Sequence, residues 1–79
     1  MTVLELLNTE SKWGQGMSSK REGTMCLGEA IRAAYPDNSE YSRIRSLVTS
    51  YLGYDIVPWN DHSQRIFADV RHVIEALNI

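Results

Sequence analysis

The segment Val57-Pro58-Trp59-Asn60-Asp61-His62-Ser63-Gln64 restricts the possible folds more than any other part of the chain. A short apolar run meets a proline and an aromatic ring, then a set of side chains that cap helices. Asp61-His62-Ser63-Gln64 has the spacing of a capping box, in which side chains at both ends bond free amides of a helix start, so the last helix is expected to open there. Trp59 must then find a place in a very small core. The chain has 79 residues, 43% of them hydrophobic and 23% charged. This is the balance of one globular domain spanning residues 1–79. A domain of that size holds only a thin core, and its stability rests on a few well-packed large side chains. It has little depth in which to build a catalytic pocket.

Charge narrows the function classes. A formal net charge of -2 gives no basis for direct nucleic-acid binding, which needs a clustered basic surface to neutralise phosphates. Lys20-Arg21 and the pair Arg43 and Arg45 are the basic clusters, both too short for a polybasic tract. The single cysteine, Cys26, cannot form an intramolecular disulfide, and the N-terminus lacks the pattern of a secretory leader, so a reducing cytoplasm is the expected location. No apolar run nears the roughly 20 residues of a membrane-spanning helix.

Thr2-Val3-Leu4-Glu5 reads as a capping box opening a short first helix, with Val3, Leu4 and Leu7 on one face. The polar run Asn8-Thr9-Glu10-Ser11 is expected to end it. From Lys12 to Leu27 the helical period vanishes, and Gly14, Gly16 and Gly23 bracket the polar stretch Met17 to Glu22. A short irregular β-hairpin is expected, pairing Trp13–Gln15 with Thr24–Cys26. Cys26, Leu27, Ala30, Ile31 and Ala34 then repeat at helical spacing until Pro36. Gly28 inside that helix predicts close approach of another element.

Asp37-Asn38-Ser39-Glu40 supplies capping side chains for a third helix, along which Tyr41, Ile44, Leu47, Val48, Tyr51 and Leu52 form an apolar stripe. Gly53 is its expected left-handed stop. Tyr54 to Val57 reads as an extended connection or small strand. In the last helix Ile66, Phe67, Val70, Val73, Ile74 and Leu77 share a face, while Arg65 with Asp69 and Arg71 with Glu75 sit one turn apart outside. The expected fold is therefore mainly α, a compact single domain of about four helices with a short irregular hairpin. Trp13 and Trp59 would plug the space between hairpin and helices, each requiring a partner for a buried indole N–H.

Trp13-x-Gln15-Gly16, Cys26-Leu27-x-x-Ala30-Ile31 and Pro58-Trp59-Asn60-Asp61, in that order, resemble a small domain family of phages, mobile elements and bacteria. The resemblance spans nearly the whole chain. It implies a fold more than an activity, because that family has no established one.

Two chemistries compete with packing for these residues. Cys26 near a helix start, with His62 as base and Asn60 or Asp61 orienting it, has the residue types of a cysteine hydrolase. Cys26 also shares the apolar face with Ala30 and Ile31, where a cysteine is an inert core residue. Cys26, His62 and His72 lack the close spacing of metal ligands, and no cofactor is expected. Asn60, Asp61 and Gln15 are expected to bond nearby backbone, which makes the motifs a folding signature and leaves function to the surface.

The favoured expectation is a non-enzymatic phage or mobile-element protein that binds and inhibits a bacterial defence machine, an anti-CRISPR protein acting on a CRISPR effector complex. Its contact residues would be the exposed acids Glu29, Asp37, Glu40 and Asp55, facing a basic groove of the partner. A small cysteine hydrolase and a domain that oligomerises through an apolar face are the alternatives.

Overall fold

Thr2 closes its capping box as its sequence predicts: Glu5 N–H donates to Thr2 Oγ1 at 3.1 Å, and Thr2 N–H donates to Glu5 Oε1 at 2.9 Å. In the computed structural model, which describes residues 1–16 and 23–79, helix α1 runs Val3–Leu6 and buries Val3. The polar run that ends it winds into a 3-10 turn, Glu10–Lys12. Trp13 follows, packed into the core.

The expected hairpin is corrected to a single bridge. Trp13 and Met25 pair in parallel, with Gly14 N–H donating to the Met25 carbonyl at 3.0 Å and Met25 N–H to the Lys12 carbonyl at 2.9 Å. Parallel partners run the same way, so a tight two-strand turn cannot join them. Gly16 (φ 65°) and Gly23 (φ 84°) both hold left-handed backbone, which a glycine adopts without strain. The expected polar stretch Met17 to Glu22, with Lys20-Arg21, lies outside the described residues.

Helix α2, Leu27–Ala34, buries Leu27, Ala30 and Ile31. Cys26 is its N-cap and not a member of its apolar face. Helix α3, Asn38–Leu52, is capped by Asp37, whose Oδ1 accepts from Ser39 N–H at 3.0 Å and Glu40 N–H at 3.2 Å. Gly53 ends it in the left-handed region at φ 69°, as its position predicts. The α3 stripe is only half covered: Ile44 and Val48 are buried, whereas Leu47 and Tyr51 keep 41% and 48% of their surface exposed.

Two boundaries differ from expectation. Tyr54 to Val57 does not form an extended connection or strand throughout: the cap residue Asp55 is extended, but Ile56–Asp61 is helix α4. Pro58 is its third residue, a first-turn position whose N–H would have no intrahelical acceptor, so the proline costs the helix nothing there. Asp61 therefore closes α4 and does not open the last helix. That helix, α5, runs Phe67–Leu77. Ile66 N–H donates to Asp69 Oδ2 at 3.3 Å, so Asp69 holds the start that Gln64 was expected to hold. Ile66 itself is 57% exposed.

The result is a single small, mainly α domain, with five α-helices and no sheet among the described residues. Val3 and Leu7 of the first segment, Leu27 and Ile31 of α2, Ile56 of α4, and Val70 and Ile74 of α5 meet in one core. A Cβ placed on Gly28 would stand 3.7 Å from Ile56 Cγ2, which shows α2 and α4 in close approach. Arg65 and Asp69 lie 3.8 Å apart and Arg71 and Glu75 3.5 Å apart on the outer side of α5.

Candidate functional site

Asn60 is the only described polar side chain besides Thr24 to be buried, and none of its surface is exposed. Position five of the short helix α4 aims it at the segment before α2. Its Oδ1 accepts from the Trp13 indole N–H at 2.7 Å and from Leu27 N–H at 2.9 Å. Its Nδ2 donates to the Gly14 carbonyl and to Asp61 Oδ1, both at 3.0 Å. One amide side chain thus uses two acceptor and two donor positions, its full capacity. Leu27 is the first residue of α2, whose amide has no partner within its own helix. Asn60 caps that helix from 33 residues away.

The neighbours extend the knot. Gln15 Nε2 donates to the Asn60 carbonyl at 2.9 Å and the His62 carbonyl at 2.8 Å. Gly16 N–H donates to Asp61 Oδ1 at 2.9 Å. Arg65 Nε donates to the Trp59 carbonyl at 2.9 Å, and its guanidinium lies 3.9 Å from the centre of the Trp59 ring. The carbonyls left over at the C-terminal end of α4 are therefore met by Gln15 and Arg65. Gln15, Asn60 and Asp61 do bond backbone as expected, but the partners are far along the chain, not local.

Cys26 and His62 are placed differently from a nucleophile and its base. Cys26 Sγ accepts from Glu29 N–H at 3.4 Å, while Glu29 Oε1 accepts from Cys26 N–H at 3.1 Å. Burial pushes the thiol pKa up, and the charge of Glu29 adds to the rise against the opposing pull of the helix-start amides. A thiol at a helix start is ordinarily made more acidic; here burial outweighs that pull. His62 Nδ1 accepts from Gln64 N–H at 3.0 Å. Each of the two side chains takes a backbone amide in place of the other. Among the described residues no group of three or more His, Cys, Asp and Glu could hold a metal ion, and no helix is long and apolar enough to cross a membrane.

The four acids expected to make contact are all exposed. Glu29 and Asp37 also serve as helix caps, whereas Glu40 lies in the first turn of α3 and Asp55 precedes α4. The sequence reading missed an apolar corner. Leu47 and Tyr51 on α3 lead to Tyr54 (60% exposed) and Val57 (49%). Beside them an open groove of about 430 Å³ is lined by Leu52, Tyr54, Pro58, Trp59, His62 and Arg65. The signal for it was present: the α3 stripe is wider than a single neighbouring helix can cover.

These features define a class, a small helical domain tied through its middle by one buried asparagine. Over residues 2–77 the chain matches the model of DUF6197, a family of unknown function, and it belongs to that family. No curated protein and no solved structure matches it.

Proposed function

We propose that this protein is a non-enzymatic binding domain whose partner is another protein. The observation that carries this is the division of labour among its side chains. Asn60 has its full bonding capacity taken inside the fold, while Leu47, Tyr51, Tyr54 and Val57 stand outside at the α3–α4 corner. Contiguous exposed apolar surface on a small domain marks an interaction site. Support for the non-enzymatic part comes from Cys26, whose thiol pKa burial pushes up and whose Sγ accepts from Glu29 N–H.

The narrower form of the proposal is an inhibitor of a bacterial defence machine, carried by a phage or mobile element and acting as an anti-CRISPR protein on a CRISPR effector complex. Its support is the motif resemblance together with the small size and mild acidity of the chain. Titration of a purified effector complex with the protein tests it, read by binding and by loss of target-DNA binding. Glu40→Lys and Asp55→Lys should weaken the inhibition. No binding to any effector tested, together with no protection of phage in defence-bearing cells, overturns the narrower form. The broader form is tested by capture from cells with wild type and with Tyr54→Glu/Val57→Glu. A partner held by wild type and lost from a variant of unchanged melting temperature supports it. If sedimentation shows instead that the wild type self-associates through this corner and the variant does not, the corner serves oligomerisation.

A further inference from the structure

On the α2–α3 side of the molecule two arginines close on one tyrosine. The Arg32 guanidinium lies 4.8 Å from the centre of the Tyr41 ring and that of Arg45 lies 6.0 Å from it. Neither is loose: an Arg32 Nη donates to Asn38 Oδ1 at 2.7 Å, and an Arg45 Nη donates to the Tyr41 hydroxyl at 2.8 Å. Arg65 and Arg71 pair with Asp69 and Glu75. Arg32 and Arg45, by contrast, have no carboxylate within 4.0 Å among the described residues. Of the acids nearby in sequence, Glu29 bonds the Cys26 amide and Asp37 the amides of Ser39 and Glu40, while Glu40 lies in the first turn of α3.

We infer that Arg32 and Arg45, aligned by Tyr41, form a receptor for the carboxylates of an acidic segment on a partner protein. A guanidinium carries five N–H donors in a planar fork that matches a carboxylate. Each of these two uses one of them on its anchor, and both residues are exposed, which leaves further donors for a ligand. Fixing both beforehand removes much of the side-chain ordering cost that binding would otherwise impose. The anion also relieves the repulsion between two cations gathered on a single ring.

The surroundings select the class of partner. Asp37 and Glu40 open the same helix that carries Tyr41 and Arg45, and the chain has a net charge of -2. A polyanion such as a nucleic-acid backbone would run from two cations into these acids, whereas one or two carboxylates on a peptide fit between them. This site lies apart from the apolar corner of α3 and α4, and it can be tested without a physiological partner.

The experiment is an NMR titration of the isotope-labelled full chain at constant ionic strength. The probes are a blocked Glu/Asp tetrapeptide, its Gln/Asn counterpart and a short oligothymidylate. The acidic peptide should shift the Arg32 and Arg45 Nε–Hε signals saturably, and the amide counterpart should not. In Arg32→Gln/Arg45→Gln the affinity should fall at least about tenfold. Tyr41→Phe, which keeps both charges and the ring but loses the hydroxyl that aligns Arg45, should weaken it by a smaller factor. If the double glutamine variant fails to fold, Arg32→Lys/Arg45→Lys replaces it and should bind several-fold more weakly, because an ammonium lacks the fork. An absence of saturable shifts, equal affinity in wild type and variants, or tighter binding of the oligothymidylate than of the peptide would each overturn the assignment.

Discussion

Asn60 shows how much one side chain can hold in a domain of this size. Replacing it with alanine strands the Trp13 indole N–H and the Leu27 amide without acceptors and the Gly14 carbonyl without a donor. Buried groups so orphaned cost about 1–3 kcal/mol each, and the loss should total about 3–5 kcal/mol. For a chain whose whole stability is on the order of 5–10 kcal/mol, urea denaturation should place Asn60→Ala near unfolding at 37 °C. Asp61→Ala, an exposed position, should lose only about 1 kcal/mol in the same assay. Cys26 supplies a pH test. Because its folded pKa is raised, the folded state keeps a proton that the unfolded chain releases. Its contribution is intact below the ordinary thiol range and is lost as pH rises through it. Native protein should also react with iodoacetamide at neutral pH far more slowly than the urea-unfolded chain. Gln15, Asn60 and Asp61 stand out in the sequence as residues that bond backbone, and Trp13 as a core ring whose indole N–H needs a partner. Their actual partners were invisible there, because spacing reveals bonds within a turn and not those that join position 13 or 15 to position 60.

At the level of elements, local signals were legible where nothing distant competed for them. The Thr2 capping box, the Asp37 cap and the Gly53 stop all formed as the residues predict. They failed at Asp61, which is itself the last residue of α4 and whose Oδ1 accepts from Gly16 N–H and from Asn60 Nδ2. The start of α5 then moved on to Phe67, where Asp69 meets the Ile66 amide. The hairpin failed for a related reason: glycines mark a change of direction without saying whether the returning segment runs parallel or antiparallel. Two glycines give opposite predictions. Gly28 is helical and a methyl there would meet Ile56 Cγ2 and Cys26 Sγ at ordinary contact distances of 3.7 and 3.9 Å. Gly28→Ala should therefore add about 1 kcal/mol through helix propensity and raise the melting temperature by roughly 4–8 °C. Gly53 has nothing within 4 Å of its Cβ position but a φ of 69°. Gly53→Ala should cost about 1 kcal/mol through backbone strain alone.

Over the whole molecule, the chain devotes its interior to tying itself together and leaves two chemically distinct exteriors. One is the apolar corner of Leu47, Tyr51, Tyr54 and Val57; the other is the arginine pair on Tyr41. The first was half legible, since the spacing along α3 shows an apolar stripe but not which part of it a neighbour covers. The second was not, because Arg32 and Arg45 belong to different helices and only the fold brings them to one ring. If the two surfaces act independently, combining Tyr54→Glu/Val57→Glu with Arg32→Gln/Arg45→Gln should give additive losses in partner affinity, as measured by calorimetry.

The bonds through Asn60 reach back 33 to 47 positions along the chain, and this governs when the protein can become itself. A ribosome that has exposed the first two helices but still holds Asn60 in its exit tunnel presents Trp13 and the start of α2 with nothing to close against. The domain should thus acquire protease resistance in one late step, once α4 and α5 have emerged, and arrested nascent chains of increasing length would display that step directly.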